Sequence, residues 1–121
     1  VLLDVYDFLA ARIDALVEAG IKRTKIIADP GVGFGKRQEH NLAILNRISL
    51  FHGLGVHILL GASRKRFIGS IGHAPNAQNR MPGSVAIALA AIAQGVQMIR
   101  AHDVAEHAQA IALWRAAVAH P

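Results

Sequence analysis

Residues 56–66 read Val56-His-Ile-Leu-Leu-Gly61-Ala-Ser63-Arg64-Lys65-Arg66, an apolar run that stops at glycine and gives way to a hydroxyl and three cations. A short apolar run bounded by turn residues is the mark of a buried strand. The same figure recurs on either side. Upstream, Lys25-Ile-Ile-Ala-Asp29 ends at Pro30-Gly31, and downstream Val96-Gln-Met-Ile-Arg100 is followed by Ala101-His102-Asp103. Each strand thus leaves its unusual residues at its C-terminal end.

Between these runs the period changes from two to that of a helix. Residues 39–52 carry a stripe of Leu42, Leu45, Ile48 and Phe51 that stops at Gly53. Residues 84–94 are built largely from Ala with Val85, Ile87, Leu89 and Ile92; Ser84 is placed to cap this helix and Gly95 ends it. The small side chains predict close packing on both the sheet and another helix. A first helix over 4–19 places Val5, Phe8, Leu9, Ile13, Leu16 and Val17 on one face before Gly20, and a last one runs from Val104 to about Val118 behind Asp103. Residues 69–82, rich in Gly, Pro, Asn and Gln, read as a long surface loop. The strands start about 31 and about 40 residues apart, which are βαβ lengths. The expectation is an α/β fold with three parallel strands, buried on both faces, and about four helices.

Composition narrows the function. The chain has 121 residues, 53% hydrophobic and 5% aromatic, with no Cys. Its mean hydropathy of +0.34 is high for a free-standing domain. Lack of Cys removes disulfides, a thiolate nucleophile and Cys-ligated zinc. No apolar stretch is long enough to cross a membrane, and acids near the start exclude a signal peptide. The chain begins without Met inside an apolar run, which reads as a cut or processed start. Thirteen Lys and Arg against eight Asp and Glu give a net charge of +5. No basic helix face and no aromatic-plus-basic stripe accompanies it, so a small anion fits better than nucleic acid.

In a parallel α/β sheet, ligands meet the loops that leave the C-terminal strand ends. Three such ends here offer Asp29, then Ser63-Arg64-Lys65, then Arg100 and His102. That set suits a polar heterocycle beside a phosphate or carboxylate. Each member also has a plainer reading. Asp29 before Pro-Gly is a good turn former, Arg64-Lys65-Arg66 could be a solvated charge run, and His102 could simply start a helix. Gly31-Val-Gly33-Phe34-Gly-Lys36 lacks the spacing of a Walker loop, so its glycines serve a tight turn beside a ligand, with Phe34 as a pocket wall. His40, His52, His57, His73, His107 and His120 show no ligand spacing.

Asp29-Pro-Gly-Val-Gly-Phe-Gly-Lys36, Gly61-Ala-Ser-Arg-Lys65 and Ile99-Arg-Ala-His-Asp-Val104 together resemble the three C-terminal signatures of the dihydropteroate synthase family. Their order, strand-end placement and intervening lengths all match, over nearly the whole chain. The resemblance implies a (β/α)8 TIM barrel, with residues 1–121 as its C-terminal portion, the three strands as its sixth to eighth, and the N-terminal half absent. It implies condensation of 6-hydroxymethyl-7,8-dihydropterin diphosphate with 4-aminobenzoate, giving 7,8-dihydropteroate and diphosphate in folate biosynthesis. It further implies a Mg2+ cofactor, its ligand in the missing half and none in this chain; a cytoplasmic homodimer formed through C-terminal helices, with 84–94 a candidate contact; and sulfonamide sensitivity governed by absent loops.

The same resemblance assigns roles. Asp29 would accept from the pterin amino and ring N–H groups, and Lys65 would donate to the pterin and lie near the aminobenzoate. Ser63 would bind the aminobenzoate carboxylate with Arg64 nearby, and Phe34 would wall its ring. Arg100 would lie on the pterin face and reach the diphosphate, His102 would bind the diphosphate, and Gly33 would let backbone approach the ring. Lys65, Arg100 and His102 are the catalytic candidates. An isolated half-barrel is expected to be inactive. The competing readings are a pterin-binding methyltransferase, disfavoured by Ser63-Arg64-Lys65, and a non-catalytic pterin-binding or assembly module.

Overall fold

The computed structural model describes residues 2–34 and 37–119. Among them are three strands and five α-helices: α1 (Leu2–Glu18), β1 (Ile27–Ala28), α2 (Gln38–Asn46), β2 (His57–Leu60), α3 (Arg66–Ile71), α4 (Met81–Ala93), β3 (Met98–Ile99) and α5 (Val104–Ala119). The strands form one parallel sheet in the order β1-β2-β3. Ile27 pairs with His57 and Leu59 with Met98, so consecutive strands are neighbours and their C-terminal ends share one rim.

The sheet has two unlike faces. Ala28, Ile58 and Leu60 point under the helices and are buried with Ile44, Ile48, Phe51 and Ala91. On the opposite face Ile27 and Met98 are 47% and 41% exposed. The apolar runs had suggested cover on both sides, yet the described residues cover only one. Runs of this kind report what a strand is made to meet, and the described helices bury the face of Ala28, Ile58 and Leu60.

Several boundaries differ from the sequence expectation. The helix expected over 39–52 breaks at Arg47 (φ −126°, ψ 31°) and continues as a 3₁₀ segment, Ile48–Leu54, that ends at left-handed Gly55 rather than Gly53. The buried stripe is Ile44, Ile48 and Phe51 rather than one that includes Leu42, which is 38% exposed. On α1, Ile13 is buried and Val5, Leu9 and Leu16 pack against the core, whereas Phe8 stays 64% exposed because the stripe is wider than the surface it covers. Residues 69–82 are not a loop. They hold the end of α3, a 3₁₀ turn at Ala77–Asn79 and the start of α4. Pro82 sits in the first turn of α4, where its missing N–H costs nothing. Ser84 therefore lies inside the helix rather than capping it. The helix is tightly packed as its small residues imply, with Ala88 and Ala91 buried and α5 and α3 against it.

Candidate functional site

The strand-end rim surrounds an open pocket of about 540 Å3 lined by Phe34, Gly61, Ser63, Lys65, Arg100, Ala101 and His102. Five of the eight residues singled out from the sequence meet here: Phe34, Ser63, Lys65, Arg100 and His102. Asp29 stands at its edge, with Oδ2 3.4 Å from Arg100 Nη1. Gly33 and Arg64 line an adjoining cavity of about 500 Å3 instead, and Lys65 belongs to both. Gly35 and Lys36 of the glycine-rich stretch, and His120, lie outside the described residues.

The loop after β1 turns on its own residues. Asp29 Oδ1 accepts the Gly31 N–H at 2.8 Å, and Phe34 N–H donates to Gly31 O at 3.1 Å. Val32, between two left-handed glycines, is 1% exposed and anchors the loop in the core. Gly33 (φ +88°) donates its N–H to Asn41 Oδ1 at 2.8 Å. A Cβ there would stand 2.9 Å from Lys65 Cδ, so the glycine makes room for that lysine. Lys65 in turn lays its ammonium over the Phe34 ring, 3.8 Å from the centroid. Phe34 is thereby a wall held by the lysine that the next strand delivers.

The loop after β2 is clamped by distant partners. Arg64 takes a left-handed backbone (φ 57°), unusual for a residue with a Cβ. Its N–H donates to Ser84 Oγ at 2.8 Å and its carbonyl accepts from Arg80 Nη1 at 2.9 Å. Arg80 also donates to the carbonyls of Ala74 and Pro75, and Ser84 donates to Arg80 O. The Arg64 guanidinium makes two bonds to Asp103, Nη2 to Oδ1 at 2.9 Å and Nε to Oδ2 at 3.3 Å. That pairing holds the Asp103 carboxyl below the usual carboxylate range and raises Arg64 above its ordinary value. Asp103 thus spends its side chain on Arg64, and Arg64 is a strut beside the pocket.

Ser63 and His102 join the second and third strand ends. Ser63 Oγ accepts the His102 backbone N–H at 3.1 Å and lies 2.9 Å from its Nδ1. Arg100 is seated by Gly61, where a Cβ would collide with its guanidinium. Asn41, Arg80 and Ser84 were missed from the sequence as site-shaping residues. The signals for two of them were a polar residue on a buried helix stripe and a lone serine in an alanine-rich helix. Among the described residues no group of three or more His, Asp or Glu is arranged to hold a metal ion. No described helix is long and apolar enough to cross a membrane.

Parallel β/α units with a cationic, ligand-sized pocket at the strand ends define a segment of a β/α-barrel ligand-binding protein. Residues 1–102 match the family model described as pterin binding enzyme, and the chain belongs to that family. It is 42% identical over 116 residues to the dihydropteroate synthase of Neisseria meningitidis, covering 93% of this chain and 41% of the relative. The Bacillus subtilis dihydropteroate synthase is 40% identical over 106 residues, covering 88% and 37%. Among solved structures, the Xanthomonas albilineans dihydropteroate synthase in complex with 7,8-dihydropteroate superposes with a TM-score of 0.96 at 39% identity, covering 99% of this chain and 46% of the other. The Thermus thermophilus enzyme in complex with 4-aminobenzoate gives 0.91 at 41% identity, covering 95% and 46%. The chain spans about two fifths of the length of the curated relatives it matches, and its fold is a partial (β/α)8 barrel.

Proposed function

We propose that the chain supplies the pterin-side wall of a dihydropteroate synthase, a transferase that condenses 6-hydroxymethyl-7,8-dihydropterin diphosphate with 4-aminobenzoate. The observation that carries this reading is the convergence of Lys65, Arg100 and His102, with Phe34 and Ser63, on one pocket. In the reaction the amine nitrogen forms a bond to the pterin methylene, the carbon–oxygen bond to diphosphate breaks, and the amine loses a proton. The chain's part is to orient two substrates and to meet charge on the leaving group.

Asp29, with 34% of its side chain exposed, keeps acceptor capacity for pterin N–H groups beside Arg100. Arg100, 55% exposed, is free to lay its planar guanidinium on a ring and reach a phosphate. Lys65 donates to the pterin and stands by Phe34, against which the aminobenzoate ring packs. Ser63 and His102 offer donors to the carboxylate and the diphosphate. The role first given to Arg64 passes to positioning, because its guanidinium is occupied by Asp103. Binding of Mg2+ by residues beyond this chain, a cytoplasmic setting and sulfonamide sensitivity belong to the same proposal. So does self-association through α4 and α5; Leu113 and Val118 on α5 are 66% and 60% exposed.

The bare sheet face bearing Ile27 and Met98 is where the rest of a closed barrel would pack, so the chain alone is expected to bind pterin diphosphate without turnover. Calorimetric titration tests the first half of this claim. Turnover is tested by grafting these 121 residues in place of the matching part of the Neisseria meningitidis relative. Condensation of the two substrates by the chimera is the expected result. No pterin binding by the chain together with a folded but inactive chimera would overturn the reading, and methyl transfer in its place would favour the methyltransferase.

A further inference from the structure

A further cavity lies at the other end of the sheet, where the strands begin. Its volume of about 310 Å3 falls at the small end of ligand cavities. α1 supplies one wall, since Tyr6, Ala10, Ile13 and Asp14 recur at helical spacing along one face. Arg23, in the 3₁₀ turn ahead of β1, and Gly53 and Gly55, just ahead of β2, supply the other. The hollow persists because small residues stand where longer side chains would fill it. A Cβ on Gly53 would lie 2.7 Å from the Tyr6 hydroxyl, and Ala10 keeps the wall low between Tyr6 and Asp14. Ile13 and Leu54, both buried, make the floor apolar.

Three polar groups stand over that floor with capacity to spare. The Tyr6 ring is seated against Phe51, centroids 6.0 Å apart, and its hydroxyl has no hydrogen-bond partner among the described residues. Arg23 is held by one bond, Nη1 to Leu54 O at 3.0 Å, which leaves most of its N–H groups unspent. Its Nη2 stands 3.5 Å from Asp14 Oδ1, and the two side chains are 47% and 70% exposed. So loose and exposed a pair gains little by itself, and both members remain open to another partner. A guanidinium beside a carboxylate selects by charge. A lone anion drawn to Arg23 meets Asp14, and a lone cation drawn to Asp14 meets Arg23. A ligand with opposite charges on neighbouring groups satisfies both.

We propose that this cavity binds a zwitterionic α-amino acid with an aliphatic side chain. Its carboxylate pairs with Arg23, its ammonium with Asp14, and its side chain covers Ala10, Ile13 and Leu54. The Tyr6 hydroxyl is a second donor to the carboxylate. No residue of the strand-end rim takes part, so this ligand is independent of the reaction proposed there. A bound amino acid ties α1 to the segments that enter β1 and β2, and stabilises the folded chain by mass action.

Proton–nitrogen NMR of the labelled full chain, titrated with L-leucine, tests the site. The expected result is saturable movement of the Arg23, Gly53 and Gly55 amide signals at millimolar leucine, with those of Ser63 and His102 unmoved. No saturable movement, or movement at the rim instead, would overturn the proposal. Two analogues each lack one charge: 3-methylbutylamine has no carboxylate and 4-methylpentanoate no ammonium. Each is expected to bind about tenfold more weakly than leucine, the loss of one paired charge. Equal binding by either refutes the zwitterion. Asp14→Asn, a change at an exposed side chain, should weaken leucine about tenfold while improving 4-methylpentanoate, and Arg23→Gln should favour the amine instead. Ala10→Leu fills the hollow and should abolish binding; leucine affinity unchanged in all three variants would place the ligand elsewhere and overturn the assignment.

Discussion

The backbone turn of the loop leaving β1 is shaped by hydrogen bonds between residues two to eight positions apart: Asp29 with Gly31, Gly31 with Phe34, Gly33 with Asn41. The loop leaving β2 is held by partners 16 to 39 positions away, namely Arg80, Ser84, His102 and Asp103. The first loop achieves its shape with glycines in left-handed conformations, which need no outside support. In the second, a non-glycine residue occupies such a conformation and the surrounding structure bears the strain. The difference teaches where each loop is vulnerable. The turn of the first loop depends on its own glycines, whereas that of the second can be undone from Ser84 on a helix that does not line the pocket. Lys65 is where they meet, delivered by one loop and packed on the Phe34 ring of the other.

Removing that junction should have the largest effect. Lys65→Ala in the grafted full-length enzyme is expected to lower turnover by about 100-fold or more, as loss of a well-placed charged donor does. Near-normal turnover in a steady-state assay would sink the assignment. Arg80→Ala tests the remote clamp: it strips the Arg64, Ala74 and Pro75 carbonyls of their donor and should cost about 2–3 kcal/mol in urea unfolding of the chain. A change below about 0.5 kcal/mol would mean that the left-handed turn holds itself. Gly33→Ala should cost about 1–2 kcal/mol for its conformation alone, and weaken pterin binding as well because the new methyl displaces Lys65. Phe34→Ala should change unfolding by less than about 0.5 kcal/mol, since the ring is 59% exposed and serves the ligand.

Acid separates the two loops in another way. Asp103 has a folded pKa lowered by its bonds to Arg64, so the pair stabilises the fold above the unfolded carboxylate value of about 3.9. That contribution fades as pH falls below this value and through the lowered folded one. Melting temperature followed from pH 6 to pH 2 should therefore drop more shallowly at the acid end in Asp103→Asn than in the parent chain. Superimposable acid limbs would show that the pair adds nothing.

The sequence made the parallel strands and their ends legible because apolar runs, glycine stops and polar strand-end residues are local signals. Asp29, Phe34, Ser63, Lys65, Arg100 and His102 could all be named from them. What stayed hidden depends on distant chain meeting. Arg64 reads as a free cation until Asp103, 39 residues on, is seen to occupy it. Arg80 reads as loop and Ser84 as a cap, because their partners are backbone atoms that leave no trace in composition. The break of α2 at Arg47 escaped notice for a related reason. The stripe of Leu42, Leu45, Ile48 and Phe51 continues through it, so the apolar spacing does not mark the break that the Arg47 backbone makes.

The strand pairing also bears on how the chain acquires its structure during synthesis. Ile27 must wait for His57, 30 residues later, and Leu59 for Met98, 39 residues later. At roughly 5–20 residues per second on the ribosome, each wait lasts seconds, long compared with microsecond helix formation. β1 is therefore made seconds before β2, and the β2–β3 pairing adds to an edge that the β1–β2 pairing has already built. Growth one βαβ unit at a time keeps each new loop closure short in sequence, which limits the entropic delay that parallel sheets otherwise impose.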